Sequence, residues 1–225
     1  MPALEIATTS LDDALHAQTG GADSIEISQN LALGGLTPPL DLVRRIRDAV
    51  TLKVNVIVRP HARSFVYTPA EMDTILADTA ALAQIGIDGI VFGACTPANH
   101  LDIERIQQVR EAASGVPITV HRALDQSVDP EAALIALRGI VPRILTSGPA
   151  LNAWDGRDGL QRWVTAHGDH FRFVASGGLK LEQLAEYAAQ VRAHEYHFGG
   201  AARTGGVVAV DKVRQLRAVL AEAQK

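Results

Sequence analysis

The chain has 225 residues, a formal net charge of −4, 47% hydrophobic residues and 20% charged ones, a balance that suits one compact domain. Its single cysteine, Cys95, excludes an intrachain disulfide framework and any multi-cysteine zinc or iron–sulfur centre. No apolar run approaches the roughly 18 residues of a membrane span and the N-terminus lacks a signal-peptide layout. A pI near 6.0 without Lys/Arg blocks offers nothing to nucleic acid or an anionic membrane, so the expected location is the cytoplasm.

Along the chain, short apolar runs alternate with amphipathic stretches whose apolar residues recur at three- and four-residue spacing. The run 4–7 predicts a strand, and Ser10 caps a helix over 11–19. A second strand, 24–28, leads through the long loop containing Gly34-Gly35-Leu36-Thr37-Pro38 to a helix over 39–49. A third strand, 53–59, is followed by a long loop to Thr68, which with Pro69 and Glu71 has the form of a capping box for a helix over 69–85. Strand 89–93 precedes a helix over 102–113. Strand 117–121 runs into His121-Arg122-Ala123-Leu124-Asp125, and Asp129 before Pro130 starts a helix over 129–138. Strand 143–146 ends in Thr146-Ser147-Gly148, ahead of a helix over 155–166. Strand 171–175 ends in Ser176-Gly177-Gly178, ahead of a helix over 180–191. The last strand, 195–198, ends in Gly199-Gly200 with Arg203 behind it, and a helix follows over 210–223.

Eight strand–helix pairs in 225 residues with nothing left over predict a single α/β domain, residues 1–225, closed as a (β/α)8 TIM-type barrel. An open doubly wound sheet should carry G-x-G-x-x-G after its first strand, and Ala7-Thr8-Thr9-Ser10 stands there instead. Chemistry on such a barrel sits at the C-terminal ends of the strands.

Strand alternation then sorts the polar residues. With the bulky aliphatics turned outward, Glu5, Glu26, Asn55, Arg59, His121 and His197 point inward. A core of pure stability would place Val, Ile or Leu there. Each can be read blandly: Glu5 or Glu26 could pair with Arg59, and either histidine could be a satisfied core group. Assembled together, they are costly to bury for packing alone. Glu26 and His121 are the acid/base candidates. The glycine loops after strands seven and eight (Gly177, Gly178, Gly199, Gly200) suit an anion held by backbone amides. Glu5, Arg59, Arg122, Asp125, Ser147, His197 and Arg203 are further ligand-binding candidates. A bland reading makes the glycines turn formers only. No lysine closes a strand as a Schiff-base group would, and no G-x-S-x-G elbow is present.

At this level of detail the chain resembles the copper homeostasis protein CutC family from end to end. The matching stretches are Leu4-Glu5-Ile6, Ala22-Asp23 with Ile25-Glu26, Gly34-Gly35-Leu36-Thr37-Pro38, and Ile57-Val58-Arg59-Pro60 followed by Phe65, Tyr67 and Glu71. Downstream come Gly89-Ile90-Val91-Phe92-Gly93, His121-Arg122-Ala123 with Asp125, Ile144-Leu145-Thr146-Ser147-Gly148, Ser176-Gly177-Gly178 and His197. The resemblance implies a (β/α)8 barrel, a cytoplasmic homo-oligomer (a dimer above all) and copper as the bound ion, with no established reaction. Relatives often carry cysteines at the end of strand one and after the strand-two glutamate, where this chain has Ala7-Thr8 and Ser28. Glu26, His121, His197 and Cys95 are the metal-ligand candidates that remain, and one thiol is a poor basis for Cu(I), which selects soft ligands. The expected partner is a small anionic ligand or a metal ion. A copper-binding protein, an acid/base enzyme acting on a small anionic metabolite, phosphorylated or not, and a ligand-binding scaffold are the three functions compatible with the sequence.

Overall fold

Eight short runs of β-branched and aromatic residues form parallel strands that hydrogen-bond in sequence order and close into a barrel, the last pairing with the first. The computed structural model describes residues 1–223. The strands are β1 (Ala3–Thr8), β2 (Ser24–Ile27), β3 (Lys53–Ile57), β4 (Gly89–Phe92), β5 (Ile118–Val120), β6 (Arg143–Thr146), β7 (Arg172–Ala175) and β8 (Glu195–Phe198). Helices α1 (Leu11–Gly20), α2 (Leu40–Ala49), α3 (Pro69–Ala83), α4 (Ile103–Ala112), α5 (Pro130–Leu137), α6 (Ala153–His167), α7 (Leu181–Val191) and α8 (Val210–Glu222) alternate with them. The segment between β8 and α8 adds a small antiparallel hairpin, β9 (Arg203–Thr204) and β10 (Val207–Val208). No helix among the described residues is long and apolar enough to cross a membrane.

The expected caps form. The Ser10 hydroxyl accepts from the Asp13 amide at 3.1 Å. Thr68 and Glu71 close a reciprocal box at the start of α3, and Asp129 accepts from the Ala132 amide at 3.0 Å at the start of α5. Each occupies an N–H that the first helical turn leaves without an internal partner.

The main core is the layer between strands and helices. Leu4, Ile6, Ile25, Ile27, Val54 and Val56 are wholly buried there; each such side chain contributes about 1.5–3 kcal/mol relative to exposure. The opposite parity faces the interior, as expected, and carries Glu5, Glu26, Asn55, Arg59 and His121, all at most 8% exposed.

Two glycines of the β4 segment make that interior possible. A Cβ on Gly89 would lie 2.2 Å from Asn55 Oδ1, and one on Gly93 would lie 2.6 Å from His121 Nδ1. The missing side chains are the space that the amide and the imidazole occupy. Similarly, a Cβ on Gly156 would lie 2.0 Å from the Ser147 carbonyl oxygen, so α6 packs directly on the loop that follows β6.

Candidate functional site

Strand register builds the interior from the bottom upward. Glu5 on β1 stands level with Ser24 on β2 and His197 on β8, and one step higher Ala7 stands level with Glu26. Glu5 is fully buried, and four polar side chains are directed at its carboxylate. Oε2 accepts from Asn55 Nδ2 at 2.5 Å and Ser24 Oγ at 3.3 Å and meets Arg143 Nη2 at 2.9 Å; Oε1 lies 3.0 Å from His197 Nδ1. Burial alone would raise its pKa. The Arg143 guanidinium and His197 outweigh burial and hold it well below the usual carboxylate range.

Arg143 was absent from the sequence-derived candidates, and Arg59 is not the partner expected for Glu5 or Glu26. Arg143 opens β6, also binds Glu195 Oε2 at 2.8 Å, and reaches Glu5 across the barrel. An arginine at the first position of a strand reads as a solvent-facing residue. Its six-atom reach inward is invisible without closure. Arg59 instead donates to the carbonyl oxygens of Leu33 (2.9 Å) and Gly35 (3.2 Å), lies 4.9 Å from the centre of the Phe65 ring, and leaves its buried Nε without a partner.

Above this layer opens a cavity of about 820 Å³ at the strand C-terminal ends, lined among others by Glu26, Arg59, His121, Arg122, Gly177, Gly178, His197, Gly199, Gly200 and Arg203. Two cations not singled out from sequence, Lys180 and Lys212, line it as well. Among the described residues, the amides of Gly177, Gly178, Gly199 and Gly200 donate to no protein acceptor in the loops. Gly177 and Gly178 adopt positive φ (111° and 75°), where a side chain would be strained.

Three expected ligand contacts lie outside that lining. Glu5 sits beneath the floor. Asp125 and Ser147 bind each other: Asp125 Oδ2 accepts from Ser147 Oγ at 2.8 Å, Ser147 N at 3.1 Å and Arg122 Nε at 2.9 Å, and Oδ1 accepts from Thr146 Oγ1. They fasten the loop after β5 to the loop after β6, with their polar atoms engaged by one another, by Arg122 and by Thr146. Arg203 and Arg122 line the cavity but are also committed, Arg203 to Asp13 (2.9 Å) and the Ala7 carbonyl (2.8 Å), Arg122 to Asp125 and the Leu151 carbonyl (2.7 Å).

The two histidines differ in kind. His121 Nδ1 accepts from the Ala123 amide at 3.2 Å, so Nε2 carries the proton, buried and without a partner. Burial, with Arg59 and Arg122 nearby, pushes its pKa down to about 3. It is a neutral imidazole tilted 46° to the Phe65 ring, with the ring centres 4.7 Å apart, which removes it from the expected acid/base pair with Glu26. His197 behaves oppositely. Burial would lower it, but Glu26 and the Glu5 contact outweigh this and raise its pKa. Glu26 is itself raised by burial, with the Glu5 charge adding to the effect against the counterpull of His197 and Arg143.

Among the described residues, the metal-capable group that forms is Glu5, Glu26 and His197, with one donor atom from each within 4.8 Å of the others. His121 and Cys95 are not in it. This set is two carboxylates and an imidazole, and Glu5 is already neutralised by Arg143. Cys95 lies in the loop after β4, buried, with Sγ donating to the Ala123 carbonyl at 3.5 Å. Burial, helped by Asp102, pushes its pKa up to about 11, so the thiolate that Cu(I) requires is disfavoured. Met72 is packed in the core of α3 and Met1 is 76% exposed. The residues present do not fit a Cu(I) site.

Fold and cavity together define a single-domain (β/α)8 barrel whose polar groups converge on the C-terminal mouth. The family model described as "CutC family" matches residues 3–202. The chain belongs to the CutC family. A CutC family protein of Mesorhizobium japonicum is 39% identical over 199 residues, covering 88% of this chain and 77% of that protein. The copper homeostasis protein cutC homolog of Drosophila melanogaster is 33% identical, over 86% of this chain and 75% of its own length. The crystal structure of CutC from Streptococcus agalactiae superposes with a TM-score of 0.83 at 24% identity, covering 88% of this chain and 98% of that one.

Proposed function

We propose that this CutC-family barrel binds a small anionic ligand, a phosphate- or carboxylate-bearing metabolite, in its mouth, and that copper homeostasis, the role named for the Drosophila relative, does not run through a Cu(I) site in this chain. The observation that carries the reading is Arg59: a guanidinium 8% exposed on the cavity wall that has, among the described residues, carbonyl partners but no carboxylate, and an unpaired Nε. A buried charge left without a counter-ion is costly, and an anion entering the cavity would supply one. Lys180 and Lys212 add positive charge to the lining; Glu26 and Glu182 are its carboxylates. The glycine amides at the rim contribute donors that a Cβ does not obstruct.

Titration with inorganic phosphate, followed by thermal unfolding against sodium chloride of equal ionic strength, tests the reading. The expected result is a saturable rise in Tm that Arg59→Met abolishes and Arg203→Ala only weakens. A rise no larger than that in chloride, or one unchanged in Arg59→Met, overturns it. The dimer that family resemblance implies belongs to the same proposal and is read out by light scattering of the purified chain.

A further inference from the structure

We infer that Glu26 and His197, with Glu5 as the positioning residue, form a proton-transfer site on the cavity floor, and that the anion held in the mouth is a phosphate ester carrying a hydroxyl next to a carbonyl. The inference rests on the anion-binding reading above and adds a reaction to it.

The geometry has three parts. His197 Nδ1 is taken by Glu5 Oε1 at 3.0 Å, which fixes the ring and leaves Nε2 as the nitrogen available to the cavity. Glu5 is in turn held by Arg143 at 2.9 Å and Asn55 at 2.5 Å, so it stays ionised and cannot swing toward a ligand. Glu26 lines the same cavity, and its carboxylate comes within 4.8 Å of the His197 and Glu5 donor atoms. A base oriented by a buried carboxylate beside a second titratable group is the arrangement that moves protons.

The available chemistry narrows the substrate. Among the described residues the floor offers no lysine or thiol nucleophile, since Lys180 stands at the start of α7, Lys212 on α8, and Cys95 is outside the lining. What remains is a shift of protons between adjacent carbons. Glu26 takes the C–H proton next to the carbonyl, and the C–H electron pair becomes the carbon–carbon double bond. The carbonyl π pair takes the proton of His197, giving an enediol. Glu26 then returns its proton to the former carbonyl carbon, and His197 recovers one from the neighbouring hydroxyl. Atoms and electrons balance with no co-reactant.

The test is solvent exchange. The full-length protein is incubated in D2O with dihydroxyacetone phosphate, ribulose 5-phosphate and fructose 6-phosphate in turn, and loss of the carbon-bound proton is followed by NMR. The expected result is exchange at least 100-fold above the buffer rate for at least one probe. Glu26→Gln and His197→Asn should each lower it at least 100-fold while keeping the phosphate-induced rise in Tm. Should Glu26→Gln fail to fold, Glu26→Asp, which keeps the charge but withdraws the carboxylate, should lower exchange at least tenfold. Phosphate stabilisation without exchange above buffer for all three probes overturns the inference and leaves the binding reading intact. Exchange unaffected by Glu26→Gln also overturns it. Absence of phosphate stabilisation removes the binding reading and this one with it.

Discussion

The carboxylate of Glu5 on β1 and the guanidinium of Arg143 on β6 meet at 2.9 Å inside the barrel, although their strands are not neighbours in the sheet. The pair exists only because the sheet closes. Both charges lie out of water, and Arg143 also holds Glu195 on β8. Taking away one member of such a pair leaves the other buried and uncompensated, at a cost of about 3–5 kcal/mol. Arg143→Met is therefore expected to lower unfolding stability by that amount in urea titrations. A loss under about 1 kcal/mol would show that water or another cation replaces the guanidinium.

Stability should depend on the protonation of His121 with a definite sign. Its pKa in the folded chain is about 3 against an ordinary 6.5, so below about pH 6.5 the unfolded chain binds a proton that the folded chain refuses. The stability that the neutral ring supports is present above that pH and declines as pH falls toward 3, by up to about 1.4 kcal/mol per pH unit. Glu5 acts in the same direction lower down: its depressed pKa stabilises above the ordinary carboxylate value and is lost on further acidification. His121→Gln should flatten the fall between pH 6.5 and 4.5 and, below that, leave only the part due to Glu5. Parallel urea midpoints for the two proteins across that window would refute the assignment.

Gly93 should tolerate no side chain. A methyl there would lie 2.6 Å from His121 Nδ1 and 2.8 Å from the Ala123 Cβ, on well-packed interior walls. Overpacking of this kind costs about 1–3 kcal/mol. Gly93→Ala is expected to lose that much in thermal or urea unfolding, and the His121→Gly background should recover part of it. Full additivity of the two changes would mean that the ring and the methyl do not compete.

Cu(I) should be held weakly. With one buried thiol whose pKa is about 11 and a hard carboxylate–imidazole group as the other donor set, a strong Cu(I) chelator should strip the reduced protein completely. One equivalent retained by the wild type and lost in Cys95→Ser would contradict this.

How far the sequence reached is clearest on β1, β3 and β8. Alternating apolar and polar residues placed Glu5, Asn55 and His197 on the inner face, because strand period two is a local property and each strand carries it independently. The caps at Ser10, Thr68 and Asp129 were legible for the same reason: donor and acceptor lie within three residues. The eightfold strand–helix alternation left little choice but closure.

What the tertiary structure alone decided is which of those inward groups meet. His121 and His197 are alike as sequence, each a histidine near the C-terminal end of a strand, yet Arg59 and Arg122 surround the first while Glu5 and Glu26 flank the second. Neighbours drawn from strands far apart in the chain therefore give one imidazole a depressed pKa and the other a raised one. Arg143 reads as an edge residue until closure brings Glu5 opposite it, and Asp125 and Ser147 read as ligand contacts until their loops dock and they consume each other's hydrogen bonds. Secondary structure and facing are written in local periodicity. The protonation and pairing of buried groups depend on distances of a few ångströms between residues far apart in the chain, such as Glu5 and His197, 192 positions from each other, and only the closed barrel sets those distances.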